Sequence, residues 1–147
     1  MDELNRKILT LLQRDARMKR SEIARQLHLS VTAVTRRIER MEDEGVIQGY
    51  RTMVDPVQAG MEVHGFLIGG VYPVTLDRLY AYIASVPEIV RCETIISGGK
   101  EILVEFYCRD TEHLMEFYNS GIRNYLDSMT VYLVKGRPGK DRPLQLE

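Results

Sequence analysis

Residues 21–47 read SEIARQLHLSVTAVTRRIERMEDEGVI. The apolar positions in this stretch fall into two helical sets. Ile23, Ala24 and Leu27 form the first, and Val31, Val34, Ile38 and Met41 form the second. Each set has the spacing that puts its members on one face of a short helix. Ala24 is small where two such helices must cross. Ser30 is placed to cap the second helix, because its hydroxyl can accept from a free N–H of the first turn. Gly45 follows the last periodic residue, where a left-handed residue is expected, and Val46 is expected to supply the apolar contact that closes the helix. Burying the stripe turns Thr32, Ala33, Thr35, Arg36, Arg37 and Arg40 sideways or outward. Small side chains come first and arginines come after them. That is the order of a helix-turn-helix whose second helix reads base edges with its N-terminal residues and grips phosphate beside them. An ordinary amphipathic surface helix shares the stripe but not the cap, the small crossing residue and the turn spacing together.

Charge supports this reading once it is resolved along the chain. The 147 residues carry a net charge of −1, which by itself argues against nucleic acid. Residues 1–54 hold 11 Lys/Arg and 8 Asp/Glu, whereas residues 55–147 hold 9 and 13. Within 14–40 the count is 8 basic to 3 acidic. Positive charge therefore gathers where phosphates must be neutralised. Arg17, Lys19 and Arg20, with Ser21 beside them, are candidates for backbone contacts that position the protein without reading sequence.

Upstream, Asp2 can cap a helix with the stripe Leu4, Ile8, Leu11 and Leu12, which completes a three-helix head over residues 1–45. The next residues, VIQGYRTMVD, are rich in β-branched and aromatic side chains and end at Asp55-Pro56. Residues 46–54 are expected to be a strand leaving the head, within a linker and hinge at 46–62. A second domain over 63–147 alternates strand and helix signals. His64–Tyr72 reads as a strand, with Gly69 and Gly70 signalling close backbone approach or a bulge. Thr75 is expected to cap a helix with the stripe Leu76, Leu79, Tyr80 and Ile83. Ile89–Ile96 is a strand and residues 97–100 a turn. In the next strand Ile102, Val104, Phe106 and Cys108 alternate with Glu101, Leu103, Glu105 and Tyr107. Thr111 is expected to cap the second helix, and Met129–Lys135 to be the last strand. The order is βαββαβ, a ferredoxin-like split βαβ, so the chain as a whole is of the α+β class. Two helices on one side of four strands leave the other sheet face bare, with Leu103, Tyr107 and Val71 expected on it. A bare apolar face implies a homodimer, and two heads suit a two-fold operator on double-stranded DNA.

The same residues argue against other classes. No catalytic constellation emerges from His64, His113, Glu101, Glu105 and Cys108, since Glu105 points away from Cys108 on its strand. Cys108 and His113 could form one edge of a metal site, but zinc wants four clustered ligands. No cofactor and no metal are therefore expected, and the chain is not read as an enzyme. The opening MDELNRKILT lacks the features of a signal peptide. The longest uncharged run, Val63–Leu76, is too short to span a bilayer. Two cysteines without a CxxC motif suit a reducing compartment. A cytoplasmic protein without a membrane partner is expected.

Taken together, these motifs resemble the Lrp/AsnC family, the leucine-responsive and asparagine-responsive transcription regulators of bacteria and archaea. LNRKILTLLQRDAR resembles the family's opening helix and SEIARQLHLS its E-I-A-x-x-L-G-L-S turn. VTRRIERMEDEGVIQGY resembles its recognition helix and exit strand, VDP its hinge, and PEIVRCETIISG its second effector-domain strand. The resemblance spans nearly the whole chain. It implies a dimer able to assemble into larger rings, often octamers. It also implies a small effector, an amino acid, bound between dimers near the turn joining the two central strands. Here that turn is Gly98-Gly99-Lys100-Glu101. Successive glycine amides can form a nest for a carboxylate, Lys100 can add charge to it, and Glu101 can accept from an ammonium group.

Three departures from the family pattern stand out. His28 occupies the usual glycine of the helix-turn-helix turn, so a positive φ is expected there. The family's G-D-x-D turn becomes Gly98-Gly99-Lys100-Glu101, and the P-G-V corner before the last strand is replaced by IRNYLDSMTV. These leave a second reading open: an architectural DNA-binding protein of the same fold that works without an effector.

Overall fold

The computed structural model describes residues 1–72, 76–96, 100–119, 121–136 and 145–146. It divides into two compact units, Met1–Met53 with Gly139–Glu147, and Val54–Pro138.

The first unit holds three helices, α1 (Glu3–Arg14), α2 (Arg20–Gln26) and α3 (Val31–Asp43). Asp2 caps α1 by accepting from the Asn5 amide at 2.8 Å, as its position just before the apolar stripe requires. Ile8, Ile23, Ala24, Val34, Ile38 and Met41 form the buried centre, with Leu9, Leu11, Leu12, Leu27 and Ile47 packed around it.

Val31 departs from its expected place, because it stands 48% exposed on the first turn of α3. The stripe begins only at Val34. The end of α3 also differs in detail. Gly45 has φ +71°, but Ile47, not Val46, closes the helix. The Ile47 amide donates to the Met41 carbonyl at 2.9 Å and its side chain joins the core, leaving Val46 exposed.

The strand expected at 46–54 is not formed. A strand needs a pairing edge, and none reaches this segment among the described residues. The chain turns instead at Asp55–Gly60. There the Asp55 carboxylate accepts from the amides of Val57 and Gln58, and Gly60 takes φ +83°.

The second unit contains β1 (Val63–Val71), α4 (Leu76–Ser85), β2 (Ile89–Ile96), β3 (Lys100–Cys108), α5 (Thr111–Tyr118) and β4 (Leu126–Leu133). All pairings are antiparallel, in the order β2-β3-β1-β4. This is the expected α+β ferredoxin-like arrangement. Ile102, Val104, Phe106 and Cys108 are fully buried beneath Leu79 of α4 and Phe117 of α5, and the alternation of β3 holds at every position.

The double glycine of β1 carries both of the features it signals. A side chain at Gly69 would press on Leu126 and on the Ser128 carbonyl, and one at Gly70 would overlap the Asp127 carboxylate. The register with β4 then shifts between Gly70 and Val71. The extra residue is Asp127 on β4, so Leu126 joins the core face although it is out of step with Met129 and Val131. Val71 keeps the alternation of Gly65, Leu67 and Gly69 along β1 and is therefore buried in the core, not on the bare face where it is expected.

Two local boundaries and one side chain also depart from expectation. Asp110, not Thr111, caps α5, accepting from the His113 amide at 2.8 Å. A 3-10 turn over Gly121–Tyr125 starts β4 at Leu126, ahead of Met129. Tyr80 lies outward, 44% exposed, with its hydroxyl 2.8 Å from that of Thr94. Thr75 lies outside the described residues.

Candidate nucleic-acid interface

The turn between α2 and α3 is set by three residues. Leu27 ends α2, and His28 takes φ +54°, the left-handed conformation expected where the family has glycine. The Leu29 amide then returns to the Ala24 carbonyl at 2.9 Å. This is the six-to-one bond of a Schellman closure. Ser30 comes at once and caps α3, accepting from the Ala33 amide at 3.1 Å. No slack remains between the helices, so the angle of α3 is fixed by the turn and by Ala24, which is only 3% exposed.

A left-handed non-glycine residue costs roughly 1–2 kcal/mol, and glycine returns part of the gain through its larger unfolded-state entropy. His28→Gly is therefore expected to stabilise the protein by about 0.5–1 kcal/mol. Chemical denaturation followed by circular dichroism measures this, and a destabilised variant would show that the histidine side chain contributes more than its backbone costs.

The residues that the sequence offers to DNA do not form one uniform set. Thr32, Arg36 and Arg40 are exposed on α3, and Ala33 and Thr35 are half-buried at its side. Arg36 has no ion-pair partner among the described residues. Arg40 is exposed but bonded through Nε to Glu44 at 2.7 Å. Arg37 turns back into the head, where its Nη1 donates to the carboxylate of Asp2 and, at 2.8 Å, to the side-chain oxygen of Asn5. The Arg37 guanidinium, and after it the Asn5 amide, lowers the Asp2 pKa below its usual value. Lys19, Arg20 and Ser21 are exposed at the start of α2, and Arg20 stands 4.0 Å from Glu39 of α3.

Two residues escape the sequence reading. Arg25 is exposed on α2 without an ion-pair partner among the described residues, and its outward direction accords with its place between the inward Ala24 and Leu27. Val31 has the spacing of a core residue. In its exposed position it adds an apolar surface beside the exposed Thr32 on the first turn of α3.

In the second unit, Lys100 begins β3, exposed, and Glu101 comes next, half-buried. Gly98 and Gly99 lie outside the described residues. His64 and His113 are each paired with a carboxylate. His64 Nε2 lies 2.8 Å from Glu105 and its ring stacks on Tyr107 at 4.3 Å. His113 Nε2 lies 2.7 Å from Glu88, while its Nδ1 accepts from the Arg109 backbone amide at 3.2 Å. Burial, ahead of nearby Glu88 and Asp110, pushes the Cys108 thiol up to about 11, which makes it a core residue and a poor nucleophile. Among the described residues no helix is long and apolar enough to cross a membrane.

Comparison with known proteins places this geometry. The winged helix-turn-helix DNA-binding family matches residues 1–48. The HTH-type transcriptional regulator LrpA of Pyrococcus horikoshii is 32% identical over 124 residues, covering 83% of this chain and 86% of that protein. Among solved structures, E. coli AsnC superposes with a TM-score of 0.85 at 25% identity, over 97% of both chains. A transcriptional regulator from Neisseria meningitidis, solved as an L-Met complex, shares the fold with a TM-score of 0.88 at 19% identity, over 99% of this chain and 96% of that one. The capped α3, the tight His28 turn and the split βαβ unit thus stand in a chain whose relatives regulate transcription, and the chain belongs to the Lrp/AsnC family of DNA-binding transcription regulators.

Proposed function

We propose that this regulator reads duplex DNA through the first turns of α3 and responds to a small amino-acid effector. The observation that carries the DNA assignment is Arg36, an exposed guanidinium on α3 with no ion-pair partner among the described residues, preceded by exposed Val31 and Thr32. Arg is the commonest bidentate reader of guanine, and an apolar side chain suits a thymine methyl. Lys19, Arg20, Ser21 and Arg25 are assigned to the phosphate backbone, and Ser30, Ala33, Thr35 and Arg40 to the rim of the contact. Arg37 is assigned to holding α3 against α1. Binding to genomic fragments across a salt series tests the phosphate part, since log affinity falls by roughly 0.9 per neutralised phosphate for each unit of log salt. Salt-independent binding would contradict it.

The working form is proposed to be a homodimer joined through the bare sheet face, with dimers gathering into an octamer. His64, Phe66 and Ile68 of β1 share this face with Leu103, Glu105 and Tyr107 of β3, as the register of the two strands requires, and all are only half-buried in the single chain. A face of this kind is normally covered. Leu103→Asp in the full chain is expected to convert the dimer to a monomer at micromolar concentration by light scattering. An unchanged mass would remove this face from the interface.

The effector is proposed to sit at Gly98, Gly99, Lys100 and Glu101. Support comes from the charge pair Lys100–Glu101, which suits a zwitterion, and from the meningococcal regulator of the same fold solved with L-Met. A saturating amino acid should raise the thermal midpoint; binding at a hundredfold excess over Kd is worth ~2.7 kcal/mol. Glu101→Ala should abolish that shift and leave DNA affinity intact. The alternative, an effector-independent architectural protein, is favoured by the loss of the family's first acidic residue, where Gly99 stands, and by the arrival of Lys100 next to it. It predicts calorimetric silence across the whole amino-acid panel.

A further inference from the structure

The second unit holds a cavity of about 350 Å³ where β2 begins and β3 ends, beside the turn Asp55–Gly60. Val54, Ala59 and Met61 from the turn segment and Val90 of β2 give it apolar walls. Three ionisable side chains also line it: Glu88 just before β2, Arg109 just after β3 and His113 in the first turn of α5. We propose that this cavity is a binding site for a small monocarboxylate with an apolar body. Its carboxylate is held by Arg109, and its hydrocarbon part rests against Val54, Met61 and Val90.

The charges decide the sign of the ligand. Glu88 and His113 already pair with each other, Nε2 to carboxylate at 2.7 Å, with both side chains mostly buried. Arg109 is not matched in this way. Its guanidinium reaches the group only through Nε, 3.4 Å from His113 Nδ1, and it forms no ion pair with a carboxylate among the described residues. The remaining N–H donors keep the planar fork that fits a carboxylate. One cation next to Glu88 suits a single negative charge and disfavours a phosphate, whose further charge Glu88 repels. The walls decide the rest of the ligand. Val54 and Val90 are 65% and 54% exposed, so apolar surface faces water at a concave site. Mostly apolar walls with a few polar groups are the usual make-up of a small-molecule pocket. Placement gives the site a consequence. The Arg109 carbonyl accepts from the Glu62 amide at 3.2 Å, which already ties the end of β3 to the segment after the turn. A ligand on Arg109, Val54 and Met61 braces the turn Asp55–Gly60 against β2 and β3. The β2–β3 turn proposed for the effector lies at the other ends of the same two strands, so the two sites are separate.

Isothermal titration calorimetry on the full-length protein with isocaproate tests this. Isoamylamine, which carries an ammonium group on the same carbon body, is the control. The parent should bind isocaproate saturably at millimolar concentration and should not bind the amine. Arg109→Gln should weaken isocaproate about tenfold, through loss of a charge-assisted contact. Its thermal midpoint should stay at the parent value, because the side chain is exposed. Arg109→Lys keeps the charge without the fork and should fall between the two. Glu101→Ala should bind isocaproate as the parent does, whatever it does to an amino-acid effector. Absence of saturable binding by the parent overturns the proposal, as does equal binding of the amine or parental affinity in Arg109→Gln. Loss of binding in Glu101→Ala also overturns it, by moving the carboxylate to the β2–β3 turn. A changed mass of Arg109→Gln by light scattering counts against it as well, because the residue then belongs to a contact between copies of the chain.

Discussion

Arg36→Ala is expected to weaken binding to a cognate duplex by ~1–3 kcal/mol, roughly tenfold to more than a hundredfold in Kd. The side chain is exposed on the helix proposed to enter the major groove, and no carboxylate among the described residues competes for it. It keeps all its donors for DNA. Arg37→Ala should behave differently. Its guanidinium is engaged by Asp2 and Asn5, so its loss should lower the thermal midpoint of the head and reduce DNA affinity only as far as α3 loosens. Sequence alone treats these adjacent arginines alike, and the contrast between them is the sharper test. Fluorescence anisotropy on cognate and scrambled duplexes also assigns the type of contact. A base-reading Arg36 loses affinity mainly on the cognate sequence, whereas a phosphate-bound one loses it equally on both and flattens the salt slope by about 1. Unchanged binding after replacing Arg36, Arg37 and Arg40 together would sink the assignment of α3 as the reader.

Phe106→Ala is expected to destabilise the second unit by ~3–5 kcal/mol. Phe106 is fully buried and its ring lies 4.8 Å from that of Phe117, inclined at 34°. The same ring fills the notch above Gly65, where any side chain would collide with it. Phe106 thus links β1, β3 and α5, and truncation leaves a cavity that three elements cannot close at once. A domain has only ~5–15 kcal/mol in total, so the variant should populate unfolded forms well below the parent's urea midpoint. Because the chain has two units, the denaturation is best monitored by probes specific to each; the head transition should move little. A loss under ~1 kcal/mol would mean that the core closes around the cavity more readily than this packing allows.

Local physics makes much of this protein legible from its residues. The period of apolar side chains marks α2 and α3, and strict alternation marks both faces of β3, because each pattern repeats within a few residues. Capping by Asp2 and Ser30 and the positive φ of His28 are equally readable, since they depend on one turn of backbone. The Gly69-Gly70 pair announces a bulge for the same reason. That the extra residue falls on β4, where it brings Leu126 into the core, is decided by a strand more than fifty residues away in sequence. The strand expected at 46–54 fails because β propensity is realised only against a partner edge, and none is present among the described residues of the single chain. Val31 has the right spacing for the core but sits where α3 has passed beyond its neighbours. The division of labour between Arg36 and Arg37 is likewise invisible from the sequence. It depends on which side of α3 meets Asp2 and Asn5, residues 35 and 32 positions from Arg37 along the chain. Spacing decides which residues share a face, but only tertiary packing decides what that face meets.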